Sequence, residues 1–177
     1  MSERKIILFI ACSLDGYIAK EDGDISWLDV VGTPGEDYGY SKIVEQTDTF
    51  ILGRKTYDKV LTFGGTFPHD DRQTYVITRN GRPSVDNLHF YSAGIDKLVH
   101  ELRAKPGKDI HLDGGGELIA AFMQQNLVDE YIISIIPVLL GQGIRLFKTG
   151  DKPEMPLKLL SSTAYPSGLV QLHYKKV

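Results

Sequence analysis

The chain has 177 residues, of which 42% are hydrophobic and 24% are charged, and this composition predicts one globular domain over residues 1–177 and excludes a disordered segment. Its formal net charge is −3, from 20 basic and 23 acidic residues, so bulk charge does not predict binding to nucleic acid or to an anionic membrane. Any phosphate group must therefore be recognised by local clusters of basic side chains.

The sequence also limits which cellular compartment and which metal sites are expected. Cys12 is the only cysteine, which excludes an intramolecular disulfide and a zinc site built on several cysteines. The first residues do not have the pattern of a signal peptide, and the longest apolar run, Tyr131–Leu140, is shorter than the roughly 20 residues that cross a bilayer. We expect a soluble, cytoplasmic protein. No metal site is predicted, because the histidines lack metal-ligand spacing and are interpreted as structural: His69, His89, His100, His111 and His173.

The first third of the chain predicts two strands and two helices. Lys5–Cys12 is apolar and rich in branched residues, which is typical of a buried strand. Residues 14–27 contain two Asp-Gly turn signals. Apolar residues at helical spacing predict a helix over Glu36–Thr47, and Thr49–Leu52 is a second buried strand, which is followed by a short helix over Lys55–Leu61.

The middle of the chain continues the alternation of strands and helices. Thr74–Thr78 and Leu88–Tyr91 are predicted strands. The four apolar residues of Ile95–Leu102 at positions i, i+3, i+4 and i+7 predict an amphipathic helix. Asp109–Asp113 is a further strand, and a glycine run separates it from a helix over Glu117–Asn126.

The last third is predicted to be all strand. Glu130–Ile136 is a strand, and Leu157–Ala164 and Leu169–Lys176 form an antiparallel hairpin around a Pro-Ser-Gly turn. Strands that alternate with helices favour an α/β fold with a mixed, mainly parallel sheet and helices on both faces.

Three predicted loops are candidates for one binding site. Ser13–Gly16, Gly53–Thr56 and Asp113–Gly116 each follow a strand, and ligands of such sheets bind beyond the carboxyl ends of the strands. The glycine run 114–116 allows a phosphate to approach backbone N–H groups at a helix start, although a tight turn is the alternative. Arg54 and Arg79, from two basic loops, can clamp one phosphate, although each can also be an ordinary solvated side chain.

Three acids lie near the same strand ends. Asp15 is interpreted as shaping a turn, and Asp113 either serves the site or caps the following helix. Asp37, at the head of a predicted helix, either serves the site or compensates the helix dipole. The glycines and basic residues match neither the Rossmann fingerprint nor a Walker motif, and no nucleophile elbow is present, so ATPase and hydrolase chemistry are not predicted.

Four segments, in this order, resemble one known family: KIILFIACSLDGYIA, TFILGRKTYD, YVITRN and IHLDGGGELIAAFMQQNLVDEYIISIIPVLLGQGIRLF. The chain resembles the dihydrofolate reductase fold family, and most of all the reductase (C-terminal) domain of the bifunctional riboflavin-biosynthesis deaminase-reductase, in its small stand-alone bacterial form. The resemblance covers nearly the whole chain. It implies a mixed sheet, NADPH as the hydride donor and a homodimer, for which the Tyr131–Leu140 region and the terminal hairpin are the candidate surfaces.

The resemblance also assigns the cofactor-binding positions. Those that match the nicotinamide pocket are Ala11, Ile18 and Ala19. Those that match the two loops around the adenosine 2′-phosphate, the pyrophosphate and the adenine are Gly53, Arg54, Lys55, Thr56, Thr78, Arg79 and Asn80. Those that match the pyrophosphate-binding glycine turn are Gly114, Gly115, Gly116, Glu117 and Leu118. Glu117 stands where some dihydrofolate reductases have a basic residue.

The leading hypothesis is an NADPH-dependent reductase of a small pterin-like or ribosylaminopyrimidine-like substrate, similar to 5-amino-6-(5-phosphoribosylamino)uracil reductase of riboflavin biosynthesis. Asp37 precedes Gly53 at a spacing similar to that of the substrate-binding carboxylate of folate enzymes, and it is predicted to relay the proton. Aromatic residues predicted to wall the planar substrate are Trp27, Tyr38, Tyr40 and Tyr57, with core packing as the alternative for Trp27 and Tyr57. Dihydrofolate reduction and non-catalytic dinucleotide binding remain the alternative functions.

Overall fold

The computed structural model describes residues 3–63, 72–148 and 154–177. The strands within these residues are β1 (Ile6–Ser13), β2 (Tyr17–Ala19), β3 (Thr47–Gly53), β4 (Gln73–Ile77), β5 (Leu88–Tyr91), β6 (Asp109–Leu112), β7 (Glu130–Ile136), β8 (Ile144–Arg145), β9 (Leu157–Ala164) and β10 (Val170–Lys176). The α-helices are α1 (Tyr40–Gln46), α2 (Arg54–Leu61), α3 (Ile95–Arg103) and α4 (Gly116–Gln124), and Ser26–Val31 is a 3₁₀ helix.

Eight of these strands build one sheet in the order β5-β4-β3-β6-β1-β7-β10-β9, and β2 and β8 form a separate two-stranded sheet. The strands from β5 to β7 pair in parallel, whereas β10 pairs antiparallel with both β7 and β9. The predicted mixed, mainly parallel sheet with its C-terminal hairpin is therefore confirmed. Because β4, β3, β6 and β1 are parallel neighbours, the loops that follow them leave the sheet at one edge.

The side chains of each central strand alternate between two apolar layers, as the period of a strand requires. In β3, Ile51 is buried in the large core with the apolar face of α3, which includes Leu98 and Leu102. The neighbouring Phe50 and Leu52 are in a different cluster, together with a residue of α2. Helices thus cover both faces of the sheet, and strands buried on both faces explain why β1 and β3 are such continuous apolar runs.

Two local predictions differ from the structure. The helix expected from Glu36 begins only at Tyr40, because the backbone of Tyr38 (φ 52°) and Gly39 (φ 84°) is left-handed and cannot continue a right-handed helix. The short strands β2 and β8, which pair with each other, were not predicted, because two or three residues do not establish an alternating pattern. His69 lies outside the described residues.

The two surfaces suggested for a homodimer differ in accessibility. Strand β7 lies between β1 and β10 and buries Tyr131 and Ile136, so these two side chains are not available to a partner. Strand β9 is an edge of the sheet, and all of its residues are exposed, including Leu157 and Leu159. The homodimer remains a prediction.

No helix in the described part of the chain has the length and apolarity to span a membrane.

Candidate active site

The loops after β3 and β6 are in direct contact at the carboxyl edge of the sheet. The backbone N–H of Gly53 donates a hydrogen bond to the carbonyl oxygen of Gly114, with 2.7 Å between the two atoms. A Cβ atom on Gly115 would lie 3.2 Å from Oγ1 of Thr56. An alanine at position 115 would therefore require Thr56 to move by a few tenths of an ångström, and the peptide bond between Gly114 and Gly115 is cis.

A cavity of about 1820 Å³ opens beside these loops. Pockets for single small ligands usually have volumes of about 300–1,000 Å³, so this one has room for a dinucleotide and a second small molecule beside it. The predicted site residues that line it are Ala11, Ile18, Ala19, Asp37, Tyr38, Tyr40, Gly53, Arg54, Lys55, Thr56, Thr78, Arg79, Asn80, Gly114, Gly115, Gly116, Glu117 and Leu118. Their binding roles remain predictions.

Trp27 and Tyr57 do not line this cavity, and both are packed in core clusters, which favours the alternative of core packing over a role in walling the substrate. Trp27 is buried in a small cluster with Ile136 and Leu169. Tyr57 is also buried, and its ring packs edge-on against that of Phe90, with the two centroids 5.6 Å apart. A large ring stabilises the fold more when it is packed in the core, away from water, than when it lies at the open wall of a cavity.

One end of the cavity, which we call the basic end, carries charged side chains from the start of α2 and from the loop after β4. Lys55 and Arg79 both face Glu117, whose carboxylate oxygens lie 3.3 Å from Nζ of Lys55 and 3.9 Å from NH2 of Arg79. Arg54 is 2.8 Å from a carboxylate oxygen of Asp58 on the same helix. All of these side chains are largely solvent-exposed, so each pair contributes little to stability and remains available to an incoming anion.

The part of the cavity on the side of β1 and β7, which we call the tyrosine end, is lined by Phe9, Leu28, Val31, Tyr38, Tyr40, Ser134, Ile136 and Leu169. The hydroxyl of Tyr38 lies 2.9 Å from Oγ of Ser167 and also donates to the carbonyl of Val31. Nε2 of Gln171 donates to the carbonyl of Tyr38 and to Oγ of Ser134. These bonds hold Tyr38 in its left-handed conformation, so that a rigid aromatic surface faces the cavity.

Asp37 and Asp113 both line the cavity but have opposite electrostatic settings. Asp37 is exposed, and hydrogen bonds from Ser41 and then from the Gly39 N–H lower the pKa of its carboxyl group. Burial raises the pKa of Asp113 to about 6. An Asp113 carboxyl group therefore holds a proton much closer to neutral pH, whereas Asp37 is anionic and engaged in capping α1. The lowered pKa of Asp37 disfavours this residue as the proton relay. The difference between the two acids was not apparent from the sequence.

The structure does not support the alternative that Asp113 caps the helix that follows it. The N-cap residue of α4 is Gly115, two residues after Asp113, so Asp113 does not occupy the N-cap position of that helix. Sequence reasoning also missed Phe9 and Ser134 as lining residues. Phe9 could have been predicted from the pattern, because it lies two residues before Ala11 on the same strand and so projects from the same face. Ser134 could not, since it reaches the cavity only through the pairing of β7 with β1.

Asp15 shapes a turn next to the cavity, as the sequence indicates. Its carboxylate accepts hydrogen bonds from Oγ of Ser13 and from the N–H groups of Leu140 and Gly141. The hydrogen bond from Ser13 is the largest cause that lowers the pKa of Asp15 to about 2. The carboxylate thus ties the turn after β1 to the loop before β8.

This depressed pKa predicts a pH dependence of stability. The folded-state pKa lies below the unfolded value of about 3.9, so the stabilisation is complete above that value and disappears as the pH falls toward 2. We expect Asp15→Asn to lower the urea midpoint at neutral pH, and the difference from the wild type to shrink at about pH 2.5. A constant difference at both pH values would contradict this role.

The strand β8 closes the side of the cavity by pairing with β2. NH2 of Arg145 donates to the hydroxyl of Tyr17 over 3.0 Å, and the guanidinium also lies over the tyrosine ring. A Cβ atom on Gly143, which has φ 145°, would lie 2.3 Å from the carbonyl oxygen of Ala19. The close pairing of these two short strands therefore depends on glycine at position 143.

Gly143→Ala should destabilise the protein by about 2–3 kcal/mol, because the clash with the Ala19 carbonyl adds to the strain of the backbone angle. Gly23→Ala is the matched control, since Gly23 also has a positive φ of 81° but no atom within 4 Å of the added Cβ. Its expected cost is about 1 kcal/mol. Urea unfolding measures both, and equal losses would show that the steric contact is unimportant.

The comparisons with known proteins agree with this architecture. A model of the RibD C-terminal domain matches residues 4–171. The uncharacterized protein YwjB of Bacillus subtilis (strain 168) is 42% identical over 175 residues, which cover 97% of this chain and 98% of that protein. The riboflavin biosynthesis protein RibD of Corynebacterium ammoniagenes is 28% identical over 152 residues, 78% of this chain but 44% of that protein.

Solved structures show the same fold. A Shewanella sp. PV-4 protein, assigned provisionally to riboflavin biosynthesis, is 30% identical, with a TM-score of 0.89 over 98% of this chain and 99% of that chain. Dihydrofolate reductase from Enterococcus faecalis, solved with NADP(H), is 15% identical, with a TM-score of 0.66 over 97% of this chain and 96% of that chain. The second likeness concerns the fold alone. The chain therefore belongs to the RibD C-terminal domain family, the reductase-domain family of riboflavin biosynthesis, and its fold is that of dihydrofolate reductase.

Proposed function

We propose that this protein is an NADPH-dependent reductase of a small planar heterocycle of the pterin-like or ribosylaminopyrimidine-like class. The observation that carries the proposal is the division of one cavity into a basic end and a tyrosine end, with a half-buried acid of raised pKa, Asp113, among its lining residues. A phosphorylated dinucleotide suits the first end, and a flat polar ring suits the second.

The residues present fit NADPH at the basic end. Gly114, Gly115 and Gly116 line the cavity at the start of α4, where backbone N–H groups and the helix dipole favour a pyrophosphate. Arg54 and Arg79 are exposed and able to form charge-assisted hydrogen bonds with the adenosine 2′-phosphate. Bound NADPH supplies a hydride from its nicotinamide ring.

The apolar residues Ala11 and Ile18 would exclude water around the nicotinamide. The Tyr38 and Tyr40 rings would stack on or flank the substrate. Asp113, with its raised pKa, would hold a proton on a carboxylate oxygen and donate it to the substrate atom next to the carbon that accepts the hydride. Burial thus prepares an acid that an exposed aspartate cannot provide near neutral pH.

The direct test combines binding and turnover. Calorimetric titration of the protein with NADPH should give saturable binding, and NADPH absorbance should then fall when an aminopyrimidine or pterin substrate is added. Robust turnover of dihydrofolate would favour the folate reading instead. Binding of NADPH without its oxidation by any of these molecules would favour a non-catalytic dinucleotide-binding protein, and absence of binding would refute the proposal.

A further inference from the structure

Glu117 holds an unusual position at the basic end of the cavity. It lies in the first turn of α4, directly after the glycine turn, and its carboxylate bridges Lys55 and Arg79. Lys55 lies in the first turn of α2, Arg79 lies in the loop after β4, and both line the cavity. A single carboxylate of the chain itself therefore pairs with cations from two separate segments.

The surroundings of Glu117 are otherwise basic. The hydrogen bond from Lys55 is the largest cause that lowers the pKa of Glu117, and the positive charges of Lys148 and Arg79 act in the same direction. A 2′-phosphate that approaches Lys55 and Arg79 must share them with this carboxylate or displace it, and it is repelled by the negative charge in either case. The neutral 2′-hydroxyl of NADH meets no such repulsion and is able to donate a hydrogen bond to a carboxylate.

We propose that Glu117 is a specificity-determining residue that lowers the preference of this site for NADPH over NADH. The inference rests on the proposed function, because it concerns the same dinucleotide site. The three side chains are 64–95% exposed, so solvent screens the effect. We therefore expect it to change the ratio of the two affinities by roughly threefold to tenfold.

The test compares dissociation constants of NADPH and NADH for the wild type and for Glu117→Gln, measured by calorimetry at low and high salt. Glu117→Gln should bind NADPH roughly threefold to tenfold more tightly and should bind NADH no better than the wild type. Glu117→Lys should increase the preference for NADPH over NADH further than Glu117→Gln does. The gain should shrink at about 1 M salt, where exposed charges are screened within about 3 Å.

The matched control is Glu101→Gln, which removes the same charge from the surface of α3. Glu101 pairs with Lys97 and does not line the cavity, so the ratio of affinities should stay at the wild-type value. Unchanged ratios in both Glu117 variants, with both dinucleotides still bound, would overturn this inference and leave the proposed function intact. Failure of the wild type to bind either dinucleotide would instead overturn the proposed function, and the inference with it.

Discussion

Asp113→Asn should lower the rate of NADPH oxidation by about a hundredfold or more, because an amide cannot donate the proton that a carboxyl group supplies in general acid catalysis. NADPH should still bind, since its phosphates are held at the other end of the cavity. The wild-type kcat/KM should fall as the pH rises above about 6, where Asp113 loses its proton, and the variant should lose this limb of the profile.

The same substitution should make the protein more stable, which separates a functional role from a structural one. Asp113 has a folded-state pKa above its unfolded value, so its ionisation opposes folding once the pH exceeds the unfolded value. At pH 8 the neutral amide removes this penalty, which amounts to at most about 3 kcal/mol. A higher urea midpoint together with lost turnover is therefore the expected pair of results.

Asp37→Asn provides the comparison within the same cavity. Asp37 is exposed and bonded to the backbone at the start of α1, so its replacement should weaken that helix start slightly and change turnover much less than the Asp113 variant does. If Asp37→Asn abolishes turnover and Asp113→Asn does not, the assignment made from the sequence is right and the role given to Asp113 is wrong.

The double variant Arg54→Ala, Arg79→Ala should weaken NADPH binding by roughly a hundredfold and NADH binding far less. Only NADPH has the 2′-phosphate, and each charge-assisted hydrogen bond to it contributes about 1.5–3 kcal/mol. Stability should change little, because the ion pairs of both arginines are exposed. Affinity for the two dinucleotides is measured by calorimetry.

Lys97→Ala is the control for this double variant, because Lys97 is an exposed cation on α3 that does not line the cavity. Its removal should leave both dinucleotide affinities unchanged. An equal loss of NADPH and NADH binding in the double variant would show that the arginines do not recognise the 2′-phosphate.

Much of the fold could be predicted from local sequence patterns. The apolar runs of β1 and β3 are strong enough to identify buried strands, and the spacing of the four apolar residues of α3 identifies the face that packs on the sheet. Short elements could not be predicted in this way. The strands β2 and β8 exist only because they pair with each other, over a separation of more than a hundred residues.

The sequence by itself determined which loops can meet, because parallel strands place the glycine and arginine loops that follow them at one edge of the sheet. Tertiary structure alone decided how the charges there behave. The burial of Asp113, the exposure of Asp37 and the pairing of Glu117 with two distant segments all depend on neighbours that are remote in the chain. Desolvation and Coulomb interactions follow distance in space, so a local pattern names the acidic residues but does not say which of them keeps a proton.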